Sequence, residues 1–411
     1  MPGFSPAQSR ERTMHIDHRK LGRELDLFDS DPLLGAGLPF WLPGGAAARH
    51  AVESHLRELE RRNGYQHVYS PALGKRQLFE KSGHWRNFAE DMFPPMPMGG
   101  DELVLRPSLC PHHALICKSR GRSYRDLPLR IAELGPMYRA ERSGVLGGLS
   151  RVRAIQLNDA HIFCAAEQAA AEVADVLRLM RQAHKALGVE PSSFQLSLRG
   201  EGKKYGGDEQ GWAAAERLLR EALDAAGVDY AAVPGEAAFY GPKIDVQVAD
   251  SAGREWSLAT VQIDYHQPEA FDLEYADSSG GRSRPVMVHR SLAGSMERLF
   301  AHLIEVHNGA FPLWYSPVQL AVLPVSQEQN GAANDLVRAA VAAGLRAEAL
   351  HEGSIGARIR SAVERRIPYG GIIGKREAPD GLVALRHRDG RQLPAMPIAA
   401  AVEMISAEAQ P

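Results

Sequence analysis

The chain has 411 residues, 44% of them hydrophobic and 24% charged, and its 48 Lys and Arg against 50 Asp and Glu leave a net charge of −2. That composition reads as a soluble, globular chain of two or three domains without a global polyanion-binding field. The absence of an apolar run near the roughly 20 residues of a membrane span, of a signal core in MPGFSPAQSRERTMHIDHRK, and of more than three cysteines (Cys110, Cys117, Cys164) leads us to expect no membrane and a reducing cytoplasm.

Residues 1–35 read as a mobile, polar leader. PGGAAARHAVESHLRELERRNGY predicts an amphipathic helix over 44–63, ended by Asn63-Gly64. YQHVYSPAL follows as a strand halted at Pro71. DELVLRP, LRIAELGPMYRA and RVRAIQLNDAHIF alternate strand-like pieces with glycine-rich turns over 100–165. AAEQAAAEVADVLRLMRQAHKALG has the 3.6-residue apolar spacing of a helix. FQLSLRG, a hairpin in KIDVQVADSAGREWSLATVQIDY turning at Asp250–Gly253, and RPVMVHR read as strands, and GSMERLFAHLIEVH as a helix. FPLWYSP at 311–317 marks a junction. Beyond it strands (PVQLAVLPV, RAEALHE, YGGIIG, GLVALRHRDG) alternate with helices (NDLVRAAVAAGL, IGARIRSAVERRI and a last one), which predicts a small α/β domain. The expected division is 1–35, 36–312 and 313–411.

No GxGxxG with a suitably placed acid, no Walker A loop and no GxSxG elbow is present, which weighs against dehydrogenases, P-loop enzymes and α/β-hydrolases. The candidate chemistry is dispersed. Cys110, His161 and His289 each sit in an apolar segment. One thiolate and two imidazoles with a fourth position open suit a catalytic or substrate-binding zinc; packed core residues are the other reading. His112 and His113 compete with them as ligands on paper. Arg139 with Glu141, Arg151 with Arg153, and Arg298 could clamp a triphosphate or form surface ion pairs. Arg358, Arg360, Arg365 and Arg366, with Arg386, His387 and Arg388, form either a phosphate-contacting stripe or a solvated basic face.

Over about residues 15–410 the strings DHRKLGRELDLF, EKSGHW, SYRDLPLRIAELG, RVRAIQLNDAHIFC, AFYGPKIDVQV, VMVHRSLAGSMERL and RRIPY resemble threonyl-tRNA synthetase, a class II aminoacyl-tRNA synthetase. The resemblance implies an α/β (α+β) fold: an antiparallel catalytic sheet flanked by helices, then a small α/β anticodon-binding domain. It implies a homodimer built around Pro71 of motif 1. It assigns Arg139 and Glu141 to motif 2, the arginine holding the ATP α-phosphate, and Arg298 to the γ-phosphate. Arg151, Lys243 and Gln262 would join them around ATP with its Mg²⁺. Cys110, His161 and His289 fall on the ligands of one zinc per subunit, Asp159 on the acceptor of the substrate hydroxyl, and Tyr240 on a substrate contact. His84 matches the histidine that activates the terminal ribose of tRNA, leaving His112 and His113 as bystanders. Arg366, Glu377 and Arg386 match anticodon contacts.

The chain also departs from the family's pattern. The N-terminal domains, including the one that hydrolyses mischarged seryl-tRNA, are missing, so no proofreading is expected. Ile155 stands where an aromatic stacks on adenine, and Ser108, Leu157, Asn158, Ser257 and Ala259 replace other residues read as lying around ATP and the amino acid. Ala140, Gly147, His112 and, in the last domain, Glu352 are further changes. The expected function is ATP-dependent activation of threonine, or a close β-hydroxy amino acid, and transfer to threonine tRNA. The alternatives are a biosynthetic paralogue that activates another amino acid or feeds a carrier protein, and a non-catalytic tRNA-binding regulator.

Overall fold

The structure is a computed structural model and describes residues 16–201, 205–206 and 209–411. Helix α1 (His18–Glu24) begins where the Asp17 side chain accepts from the Arg19 amide. His18 Nδ1 lies 2.8 Å from the Glu305 carboxylate, which fastens this segment to the later helix α6 (Met296–Val306). The polar leader expected over 1–35 is therefore folded onto the larger domain from residue 16 onward, where Leu27 and Phe28 are buried while Leu33 and Leu34 stay exposed. Its first 15 residues lie outside the described ones. Helix α2 (Pro43–Arg62) starts on a proline, whose missing amide costs nothing at a first turn, and buries Ala48, Val52, Leu56 and Glu60 at four-residue spacing.

The larger sheet has eight strands. In chain order they are β1 (Gln66–His67), β2 (Leu129–Tyr138), β3 (Ala154–Cys164), β4 (Ser193–Leu198), β5 (Tyr230–Pro234), β6 (Lys243–Ala249), β7 (Glu255–Asp264) and β8 (Val286–Ser291). They lie in the order β5-β4-β6-β7-β8-β3-β2-β1. The six inner strands pair antiparallel, and each outermost strand runs parallel to its neighbour. Helix α4 (Ala169–Leu187) covers one face with Val173, Val176, Leu177 and Met180, and α6 adds Leu299, Phe300 and Leu303 to the same core. Between β4 and β5 runs helix α5 (Glu209–Ala226), an element the sequence reading does not place. Its Trp212, Ala215, Leu219 and Leu223 are buried at helical spacing.

A three-stranded sheet (Leu73–Lys75, Asp101–Leu105, Met96–Met98) and helix α3 (Cys110–Lys118) stand beside the main sheet. Only Gln66 and His67 of the strand expected in YQHVYSPAL pair with the main sheet. Past the turn Leu313–Tyr315 comes a second sheet of five strands: β9 (Leu320–Pro324), β10 (Ala347–Ala349), β11 (Tyr369–Ile373), β12 (Leu382–His387) and β13 (Met396–Pro397), ordered β10-β9-β11-β12-β13. Helices α7 (Asn330–Ala342), α8 (Ile355–Glu364) and α9 (Ile398–Glu408) pack on it around their own core. Arg388 donates to the Phe311 carbonyl at 2.7 Å across the junction.

Candidate functional site

The register of the sheet lines up the site. Lys243 on β6 faces Gln262 on β7, Gln262 faces His289 on β8, and His289 faces His161 on β3. Residues directly opposite on antiparallel strands share a face, so four strands project one row of polar side chains into one cleft. A second row, Asp245, Thr260 and Ser291, lies along the same face. The cleft encloses about 500 Å³. Gly241 lets the Tyr240 segment close one side of it: a Cβ there would fall 1.8 Å from the Ile263 carbonyl.

At one end Cys110, at the start of α3, meets His161 and His289. Their ligand atoms all lie within 4.8 Å of one another, and all three residues are buried. Gln267 Nε2 donates to the Cys110 sulfur at 3.1 Å, and Ser108 Oγ lies 3.0 Å from it. Burial pushes the thiol up to about 12, so a thiolate here requires a cation beside it. His289 Nε2 is 2.8 Å from Asp264, which accepts its proton and leaves Nδ1 bare toward the cluster. One sulfur and two imidazoles converging with a carboxylate behind one of them fit a zinc with an open position. Asp159 lies 3.9 Å from His161 Nε2, and burial raises its pKa to about 7. The Tyr240 ring stacks on His289 at 4.7 Å.

At the other end Arg139, Arg151 and Arg298 converge with one carboxylate, Glu141, which pairs with Arg151 at 2.8 Å. Arg139 is half-buried, and its buried Nε has no partner. Arg298 Nε donates to the Ser150 carbonyl at 3.0 Å, and its guanidinium lies over Trp256. Burial lowers the pKa of Arg139. It also lowers that of Arg298, with Arg139 and Arg151 adding to the effect. Three like charges, offset by Glu141 and by Asp91 near Arg139, leave an excess of positive charge that suits an anion. Lys243 Nζ is held 2.6 Å from Asp245, and Gln262 donates to Thr260 while its own carbonyl oxygen is unpartnered.

Residues 97–307 match the family described as tRNA synthetase class II core domain (G, H, P, S and T), and 319–408 match the anticodon binding domain. A threonine–tRNA ligase of Geobacillus kaustophilus is 47% identical over 380 residues, covering 92% of this chain and 58% of its own length. Threonine–tRNA ligase 1 of Bacillus subtilis is 46% identical over 92% of this chain and 59% of its own. A solved structure, described as the RNA binding domain of threonyl-tRNA synthetase from Cryptosporidium parvum Iowa II, superimposes with a TM-score of 0.92 at 35% identity, over 96% of this chain and 99% of that one.

The chain belongs to the threonyl-tRNA synthetase family. It spans about three fifths of the length of the curated relatives it matches. Within this class II framework most of the site residues expected from sequence are together, and the histidines divide. His84 does not line the open cleft. It is buried against Phe88 and Phe239, 2.8 Å from Ser82 Oγ and 3.7 Å from the Cys110 sulfur, and burial lowers its pKa to about 3. His113 is no bystander: its Nδ1 lies 2.8 Å from His161 Nδ1. His112 is one, packed on Phe79.

The sequence departures also divide. Ser108, Ile155, Leu157 and Ser257 line the cleft. Asn158 turns away from it, donating to Glu60 at 2.8 Å and accepting from the Leu292 amide, and Ala259 is buried in the core. Ala140 and Gly147 act through their backbones, donating to the Asp91 and Arg151 carbonyls. Asp264, Gln267 and Trp256 join the site without having been read from sequence. Asp264 stands two residues from Gln262 on one strand face, a period-two signal that could have found it.

The basic stripe of the second domain breaks up in the same way. Arg358 is buried on the carbonyls of Pro324 and His351, Arg365 pairs with Glu348, and Arg388 spans the domain junction. Arg360, Arg366 and Arg386 carry no ion pair among the described residues. Glu377 Oε2 accepts from the Gly374 amide at 3.0 Å.

Proposed function

We propose that this chain activates threonine, or a close β-hydroxy amino acid, with ATP as an aminoacyl-adenylate and transfers it to threonine tRNA. The observation that carries this reading is one cleft with a Cys–His–His cluster at one end and three under-neutralised arginines at the other. Arg139 would hold the α-phosphate beside the amino-acid carboxylate, and Arg298 the γ-phosphate of ATP carrying Mg²⁺. The carboxylate attacks the α-phosphorus in line, pyrophosphate leaves, and the arginines offset the charge that develops. Zinc held by Cys110, His161 and His289 would supply a Lewis-acid position for the substrate amino and hydroxyl groups. Asp159 accepts the substrate hydroxyl, so valine leaves that carboxyl unpartnered and is rejected.

The same polar site cannot strongly exclude serine, which lacks only a methyl worth about 1–3 kcal/mol, and we propose that this segment alone does not edit. Transfer to the tRNA ribose would use His84 only once it is uncovered from the Phe88 and Phe239 rings packed on it, and anticodon recognition would use Arg366, Glu377 and Arg386. The exposed Tyr69, Leu73, Met96 and Met98 around motif 1 support a homodimer. No described helix is long and apolar enough to cross a membrane, and a cytoplasmic site of action is proposed.

Pyrophosphate exchange across serine, threonine, valine and larger β-hydroxy amino acids, followed by charging of threonine tRNA, tests this. Threonine preference with charging is expected; adenylate formation without charged tRNA would defeat the transfer step. A second reading, a biosynthetic enzyme activating a different amino acid, is favoured by Leu157 and Ser257 in the cleft wall. A larger amino acid winning the exchange panel would establish it.

A further inference from the structure

The zinc reading leaves His113 and Glu133 unexplained, although both are buried and His113 lies within hydrogen-bond reach of Glu133 on one side and of His161 on the other. Glu133 receives donors on both oxygens. Oε1 accepts from Arg106 NH2 at 3.0 Å and from the Ser70 amide at 3.2 Å. Oε2 accepts from Ser70 Oγ at 2.6 Å and lies 3.1 Å from His113 Nε2. The Ser70 hydroxyl itself accepts from Arg106 NH1, so its proton points at Glu133. A carboxylate can only accept, so the His113 proton sits on Nε2 and His113 Nδ1 is bare. His113 Nδ1 then accepts from His161 Nδ1, 2.8 Å away, and His161 Nε2 is bare in turn.

That atom faces His289 Nδ1 at 2.9 Å, which Asp264 has stripped of its proton from the other side. Two lone pairs so close repel unless a cation lies between or beside them.

We propose that Glu133 and His113 form a positioning relay that, with Asp264 opposite, locks both histidines in the tautomers that present bare nitrogens to a single divalent cation. His113 acts through His161 and touches neither metal nor substrate. The proposal rests on the zinc reading, and the relay adds residues to it that the ligand trio does not contain.

The test uses zinc affinity by chelator competition and the visible absorption of the Co²⁺-loaded protein, for the full chain and two isosteric variants. His113→Asn keeps an acceptor where Nδ1 stands; His113→Gln keeps only the partner for Glu133. The relay predicts that His113→Gln binds zinc about 10–100-fold more weakly and shifts the Co²⁺ spectrum. His113→Asn should stay within about threefold of the parent chain, the scale of ordinary context effects on one side chain. Equal losses in both variants, or no loss in either, would overturn the relay while the parent chain's zinc content upholds the metal site. A parent chain that binds no zinc would overturn both.

Discussion

Arg290 and Glu60 face each other at 2.8 Å with neither side chain reaching solvent, joining β8 to α2 beneath the cleft. Burial works against the Glu60 carboxylate, but Arg290, His67 and Asn158 hold its pKa below the usual range. Tyr65 stacks under the guanidinium. Removing one member strands the other charge in the core, at a cost of about 3–5 kcal/mol. Arg290→Met is expected to lower the melting temperature by on the order of 10 °C, read by calorimetry.

Ile155 lines the cleft at the place where the family resemblance puts an aromatic ring on adenine. Base–aromatic stacking is worth about 1–3 kcal/mol. Ile155→Phe should therefore lower the KM for ATP in pyrophosphate exchange between about 5-fold and 100-fold, with kcat less affected. An unchanged KM would place the adenine elsewhere.

Arg298 is fastened at the anion end by the Ser150 carbonyl and the Trp256 ring, with no carboxylate paired to it among the described residues. Loss of one such preorganised donor costs about 10²–10³ in rate. Arg298→Ala should reduce exchange by that factor, and circular dichroism should show the fold retained.

Cys110→Ser replaces the one sulfur of the cluster with a poorer ligand. Metal analysis should find one zinc per parent chain and well under one in the variant, with threonine activation falling in parallel. Full activity in a zinc-free variant would remove the cluster from the mechanism.

Glu133 sets an acid limit. Burial alone would raise its pKa, yet the hydrogen bonds from His113 and Ser70 and the charge of Arg106 bring it from 4.5 down to about 2. Between those values the unfolded chain binds a proton that the folded chain does not, so stability rises with pH across the window and is lost as pH falls from about 4.5 towards 2. Urea unfolding of Glu133→Gln from pH 5.5 to 3 should show a lower stability and a shallower slope than the parent chain.

Elements with a local signature were legible. The helix expected at 44–63 is found at Pro43–Arg62, and the hairpin turning at Asp250–Gly253 joins β6 to β7. Helix α5 carries a weaker signal, Trp212, Ala215, Leu219 and Leu223 at helical spacing in an alanine-rich stretch between strands. The leader's attachment was not legible, because a His18–Glu305 contact spans 287 residues and leaves no periodic trace.

The sequence by itself determined the family, the order of most elements and the choice of Cys110, His161, His289 and the three arginines as candidates, because motif strings and hydrophobic periods are local properties of the chain. Only the tertiary structure decided which residues stand behind them. His113 became a partner of His161, Asn158 left the cleft for Glu60, and Arg358 and Arg388 of the basic stripe turned inward. Those outcomes depend on the register between strands far apart in sequence and on which buried groups need a partner, and both are settled when the sheet closes and water leaves its face.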